Sequence, residues 1–147
     1  MRKNLPMLLV RIVVGLVFFT EGLLKFIEPG ELGAGRFAHL GLPLPQVLAP
    51  FVGLVEVVAG GALMIGLYAG DAALLLLIVI LTAILTTKVP ILLGHRFGRF
   101  EPPKLNRYGL LSFLHESRTD LSMLVGCVAV LLDRGLTMVQ TKRIFQR

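Results

Sequence analysis

Long apolar runs are the feature that most constrains how this chain folds. A membrane-spanning helix needs about 20 mostly apolar residues, because each residue advances it roughly 1.5 Å through a hydrocarbon core of about 30 Å. Three runs reach that length, and a fourth reaches it only by including Asp133 and Arg134. The sequence therefore predicts an all-α fold, a polytopic membrane four-helix bundle that forms one domain over residues 1–147. The expected helices span about residues 5–26, 46–68, 71–93 and 118–139.

Composition agrees with this class, since 55% of the residues are hydrophobic and only 16% are charged. The net charge of +6 has no accompanying basic stripe interleaved with aromatic residues, so no nucleic-acid partner is expected and membrane lipids are the expected surroundings. Cys127 is the single cysteine and is expected to be a packing residue, because one thiol forms no intrachain disulfide. The three histidines contain no i, i+4 pair, so no metal or haem is predicted.

Two signals for orientation oppose each other. Basic residues favour the cytoplasmic side, and both terminal segments are basic. The segment between the third and fourth runs is also basic, yet it lies on the outer side when the termini are inside. We predict a chain with cytoplasmic termini in a bacterial cytoplasmic membrane, with a retained first helix rather than a cleaved signal peptide. Residues 108–117 are predicted to form an interfacial helix.

Charges inside the first two runs predict a buried ion pair. Glu56 lies about 15 Å along the second run, near the middle of the bilayer. An unpaired carboxylate at that depth costs at least ~2.5 kcal/mol. Arg11 lies on the antiparallel first helix, and its long side chain is the candidate partner. We therefore predict that Arg11 and Glu56 form a structural ion pair that fixes the register of the two helices.

A second group of charges is expected at the end of the bundle opposite the N-terminus. The first helix ends there, the third arrives there, and the fourth begins there. Intramembrane ionisable residues usually face the bundle interior or a watery cavity, which favours a shared site. The alternative is that the basic residues snorkel to the lipid headgroups and that the others are solvated. The candidate ligand-binding residues are Glu21, Lys25, Lys88, His95, Glu116 and Asp120.

Two segments resemble the DoxX family of small four-helix membrane proteins. The first is "RIVVGLVFFTEGLLKF" (residues 11–26), which is similar to an Arg…Gly…Phe…Gly-x-x-Lys-Phe pattern. The second is "FVGLVEVVAGGALMIGL" (residues 51–67), which is similar to Gly-x-x-Glu…Gly-Gly…Leu…Gly-Leu. The positions that match the family pattern are Arg11, Gly15, Gly22, Lys25, Glu56, Gly61 and Gly66.

The resemblance implies an integral membrane subunit of a quinone-linked oxidoreductase, as in thiosulfate:quinone oxidation. A quinone or another small amphiphile is then the expected ligand. Its head group would be held by Lys25, Lys88 or His95, and a carboxylate of the same group would relay protons. A protein partner would carry the redox centre, and oligomerisation is left open. Relatives of this type also include assembly factors and receptors without catalysis, so the alternative is a non-enzymatic membrane adaptor, chaperone or small-solute carrier.

Overall fold

The helices follow the apolar runs of the sequence. The computed structural model describes residues 5–94 and 108–145, with side chains as far as residue 134. No strand occurs in these ranges, and the predicted all-α fold is confirmed. The elements in chain order are α1 (Leu5–Ile27), α2 (Ala34–His39), α3 (Pro45–Ile65), α4 (Ala69–Ala83), a π-helical turn (Ile84–Lys88), α5 (Val89–Leu93) and α6 (Leu110–Phe145).

Three helical segments are long and apolar enough to cross a membrane, namely Leu5–Ile27, Pro45–Ile65 and Ala69–Leu93. Among the described residues α6 is not a fourth such segment, and charged residues flank its apolar stretch Leu121–Leu132 on both sides. Instead, α6 packs against α4 and α1, while α3 packs against the same two helices. The four long helices pack into one bundle, with α1 and α4 antiparallel to α3 and α6, and three of them supply the membrane spans.

The centre of the bundle is apolar and closely packed. Leu63, Leu76 and Cys127 are fully buried there, so Cys127 is the packing residue that was predicted. Large apolar side chains such as Val58 and Leu75 are exposed on the outer surface. An apolar exterior around a helical bundle, whose backbone hydrogen bonds are satisfied within each helix, is the arrangement that a lipid environment requires.

The fourth long helix begins earlier than predicted. α6 starts at Leu110, and the Gly109 N–H donates a 3.1 Å hydrogen bond to the Ile91 carbonyl oxygen, which ties its start to α5. The predicted separate interfacial helix at residues 108–117 is wrong, because from Leu110 onwards this segment is continuous with α6. Ser112 and Ser117 are buried, and such small side chains allow this part of α6 to pack closely against its neighbours.

Glycines set the register between α1 and α3. A Cβ atom at Gly22 would lie 2.7 Å from the Gly53 carbonyl oxygen, and one at Gly15 would lie 2.6 Å from the Gly60 carbonyl oxygen. The two backbones approach so closely only because these positions lack side chains. The antiparallel register is therefore fixed, and each step towards the end of α1 matches a step towards the start of α3.

A π turn interrupts the third long helix just before Pro90. The Val89 N–H donates to the Ile84 carbonyl oxygen, five residues earlier, instead of to the fourth residue back. Pro90 explains this local change, since proline has no N–H and its ring clashes with the carbonyl four residues before it in an α-helix. The turn contains one extra residue and ends at Lys88, whose side chain points towards α6.

Candidate functional site

The first ion pair inside the bundle joins α1 to α3. Lys25 Nζ lies 2.5 Å from Glu56 Oε2 and 3.5 Å from the Glu21 carbonyl oxygen. The Lys25 and Glu56 side chains are only 11% and 6% exposed. A lysine at the end of a membrane helix often snorkels outwards, but this one points inwards to a buried carboxylate. The pair is closed and has no net charge.

The direction of helical side chains explains why these two residues meet. The Cα–Cβ bonds of an α-helix tilt towards its N-terminus. On α1 that tilt carries the Lys25 side chain back into the bundle, and on antiparallel α3 it carries the Glu56 side chain towards the end of α1. The two side chains therefore converge from Cα positions that the register places about 9 Å apart along the helix axis.

The predicted Arg11–Glu56 pair is wrong for the same reason. The glycine contacts place Arg11 level with the end of α3, about 12 Å along the axis from Glu56. Both side chains tilt towards the N-termini of their own helices and so diverge. Arg11 Nε instead donates a 3.3 Å hydrogen bond to the Leu63 carbonyl oxygen, and its guanidinium packs against Gly66. Arg11 therefore binds the C-terminal end of α3, where the helix dipole favours a cation.

The second ion pair joins the π turn to α6. Lys88 Nζ lies 3.7 Å from Asp120 Oδ2, which is too far for a strong hydrogen bond. The two side chains are 13% and 24% exposed, so Asp120 is more accessible than its counterpart on α3. This second pair is open where the first is closed.

The two pairs lie at the same depth. Glu56 follows the start of α3 by about 16 Å, and Asp120 follows the start of α6 by about 15 Å. Both helices begin at the end of the bundle opposite the N-terminus, so the two carboxylates lie at similar distances from that end. We name this group the lysine–carboxylate layer, which consists of Lys25, Glu56, Lys88 and Asp120.

Two further charged residues border the layer. Glu21 lies one turn before Lys25 on α1, and its side chain is exposed. Arg36 lies on α2, which packs against α3. The sequence argument did not select Arg36, although its loop connects the two helices at the end where the other charges were expected. Arg36 would have been selected if the charged residues of the segment between α1 and α3 had been considered.

The structure therefore places three of the six predicted ligand-binding residues in ion pairs. They are Lys25, which pairs with Glu56, and Lys88 and Asp120, which pair with each other; Glu21 is exposed on α1. Glu116 lies one turn before Asp120 on α6, is partly buried and takes part in an interaction of its own. His95 lies outside the described residues. The assembled groups can donate hydrogen bonds from ammonium nitrogens and exchange protons through carboxylates.

A third ion pair lies at the opposite end of the bundle. Arg134 Nη1 lies 2.6 Å from Asp71 Oδ1, joining α6 to the first turn of α4. These side chains are 42% and 56% exposed, so water and salt screen their attraction. The pair connects the same two helical segments as Lys88 and Asp120 but lies outside the layer. Substitutions in this pair can therefore serve as controls for substitutions of Lys88 and Asp120.

Comparison with known proteins places the chain in a family. The family model for DoxX matches residues 6–89, from the start of α1 to just after the π turn. The uncharacterized membrane protein Rv3486 of Mycobacterium tuberculosis is 39% identical over 136 residues, which cover 87% of this chain and 79% of that protein. No solved structure matches the chain. The matched region contains Lys25, Glu56 and Lys88, together with the glycines that set the first hairpin, and the chain is therefore an integral membrane protein of the DoxX family.

Proposed function

We propose that this protein is a membrane subunit of a quinone-linked oxidoreductase complex and that it binds a quinone, or another small amphiphile, at Lys88 and Asp120. The observation that carries the proposal is the open, partly accessible ion pair between the π turn and α6. Ionisable residues inside a membrane bundle are costly and commonly belong to functional sites. The closed pair of Lys25 and Glu56 has its charges already satisfied and suits a structural role.

The residues of the open pair suit a quinone head group. The Lys88 ammonium donates a hydrogen bond to one quinone carbonyl oxygen, and this bond strengthens as negative charge develops there on reduction. The Asp120 carboxylate takes up a proton from water as the quinone is reduced and transfers it to the reduced oxygen, once for each of the two electrons. Reduction to the quinol takes up two electrons and two protons. The electrons come from a protein partner that carries the redox centre, and this chain supplies the binding site and the proton path.

The direct test is purification in a mild detergent, followed by mass spectrometry of co-purified quinones, lipids and proteins. Titration with a short-chain ubiquinone then compares wild type with Lys88→Met and Asp120→Asn. Each substitution removes a charge with little change in volume, so we expect loss of quinone binding in a folded protein. Arg134→Met and Asp71→Asn are the matched controls, because they remove an ion pair between α4 and α6 outside the layer. These controls should bind quinone as wild type does.

A different result would favour the non-enzymatic alternative. Wild type that neither retains nor binds a quinone, but co-purifies with a protein whose redox state does not change on binding, would support a membrane adaptor or chaperone. If both Lys88→Met and Asp120→Asn still bind quinone, the assignment of the binding site to these residues is wrong, but quinone remains the supported ligand. The two parts of the proposal are therefore separable.

A further inference from the structure

The two lysine–carboxylate pairs recur at nearly the same spacing in the chain. Lys25 precedes Glu56 by 31 residues, and Lys88 precedes Asp120 by 32. In each case the lysine lies near the end of a helix that runs in one direction, and the carboxylate lies on the antiparallel helix that follows. The bundle thus contains two helical hairpins, α1 with α3 and α4 with α6, and each holds one such pair.

The buried faces of the two carboxylate-bearing helices share a pattern at four positions around the carboxylate. On α3, small or apolar residues lie before and after Glu56 on the buried face of the helix. When 64 is added to their residue numbers, the positions reached on α6 lie before and after Asp120 in the same way. Three of the four matched pairs are buried on both helices, and Asp120 alone is partly exposed. The matched positions are Gly53 with Ser117, Glu56 with Asp120, Ala59 with Met123, and Leu63 with Cys127.

The lysine-bearing helices match as well, apart from one extra residue. Three of the four buried positions of α1 recur as buried positions 62 residues later in α4 and the start of the π turn, whereas the lysine recurs 63 residues later. The additional residue falls inside the π turn Ile84–Lys88, and a single-turn π bulge contains one more residue than the α-helical turn it replaces. The matched positions are Val14 with Leu76, Phe18 with Ile80, Gly22 with Ile84, and Lys25 with Lys88.

We propose that the layer contains two copies of one site and that the π turn opens the second copy to a ligand. This inference rests on the proposed function for its ligand, a quinone or an amphiphile with a similar carbonyl head group. In the hairpin without a π turn, the lysine and carboxylate lie 2.5 Å apart. In the hairpin with the π turn, they lie 3.7 Å apart and Asp120 is accessible. The extra residue separates the Lys88 ammonium from the Asp120 carboxylate, which would otherwise form a close ion pair.

Deletion of Leu85 tests this role of the π turn. Leu85 lies within the turn and is 63% exposed on the outer surface, so its removal takes little packing from the core. We expect the helix to return to α-helical geometry and Lys88 to close onto Asp120. The energetic coupling between Lys88→Met and Asp120→Asn, measured in an unfolding double-mutant cycle, should rise to that of the first pair. Affinity for a short-chain ubiquinone should fall by about tenfold or more.

The reciprocal variant inserts one alanine after Leu23 in α1. Leu23 is 38% exposed, and the insertion lies between the last matched buried position and Lys25. The coupling between Lys25 and Glu56 should then fall towards that of the open pair. If deletion of Leu85 prevents folding, this insertion still tests whether one extra residue separates a lysine from its carboxylate.

The outcomes separate this inference from the proposed function. If wild type binds quinone but neither variant changes the coupling of its own pair, the π turn does not open the site, and the inference is wrong. If the deletion closes the Lys88–Asp120 pair while wild type binds no quinone, the duplicated layer is supported and the quinone ligand is rejected. Unchanged quinone affinity in a deletion variant whose second pair has closed would contradict the role of that opening in binding.

Discussion

Removal of the Lys25 ammonium is expected to leave a carboxylate unpaired inside the bundle. The Glu56 side chain is 6% exposed and lies about 16 Å along α3, so neither water nor headgroups replace its partner. Breaking a buried pair by removing one partner costs about 3–5 kcal/mol, because the remaining charge is uncompensated. We therefore expect Lys25→Met to lower the free energy of unfolding by that amount, and Glu56→Gln to lower it by a similar amount.

The double variant shows whether Lys25 and Glu56 interact or whether each substitution lowers the free energy of unfolding independently. Lys25→Met with Glu56→Gln leaves no charge to strand, so its loss should be smaller than the two single losses combined by at least about 1 kcal/mol. Unfolding by SDS in mixed micelles, followed by far-ultraviolet circular dichroism, measures all three variants against wild type. Additivity within about 0.5 kcal/mol would refute the pairing.

Two further cycles serve as controls for this pair. Arg11→Met with Glu56→Gln should be additive, because the two residues lie about 12 Å apart along the helix axis and share no partner. Asp71→Asn with Arg134→Met should show a coupling below about 1 kcal/mol that weakens with salt, because this pair is largely exposed. A large coupling between Arg11 and Glu56 would contradict the register set by the glycines.

Three other predictions concern packing and topology. Gly22→Ala should destabilise the protein by about 1–3 kcal/mol, measured in the same micelle titration, because the new Cβ would lie 2.7 Å from a backbone carbonyl oxygen of α3. Cys127 should remain unmodified by a maleimide in the folded protein and should react once SDS unfolds it, because its side chain is fully buried. On a Cys127→Ala background, new cysteines at Leu5 and Arg134 should be labelled from the same side of the membrane, and one at Glu31 should be labelled from the opposite side. Labelling of positions 5 and 134 from different sides would contradict the antiparallel order of the helices.

The sequence by itself determined the membrane class and most of the helix positions. Apolar length is a property of each segment alone, so the runs at residues 5–26, 46–68 and 71–93 corresponded closely to spans of the structure. The family pattern was likewise visible in the first two helices. The placement of Lys25, Lys88 and Asp120 towards one end of the bundle also followed from the alternating direction of the helices, which requires only their order in the chain.

Tertiary structure alone decided which charges are paired. Glu56 lies within reach of two basic residues of α1 if only helix length is considered, and Arg11 was chosen as its partner. The choice between Arg11 and Lys25 depends on the register fixed by the facing glycines and on the tilt of side chains towards each helix N-terminus. Both are relations between two packed helices rather than properties of either segment. The same holds for the π turn before Pro90, whose extra residue matters because Asp120 of another helix faces it.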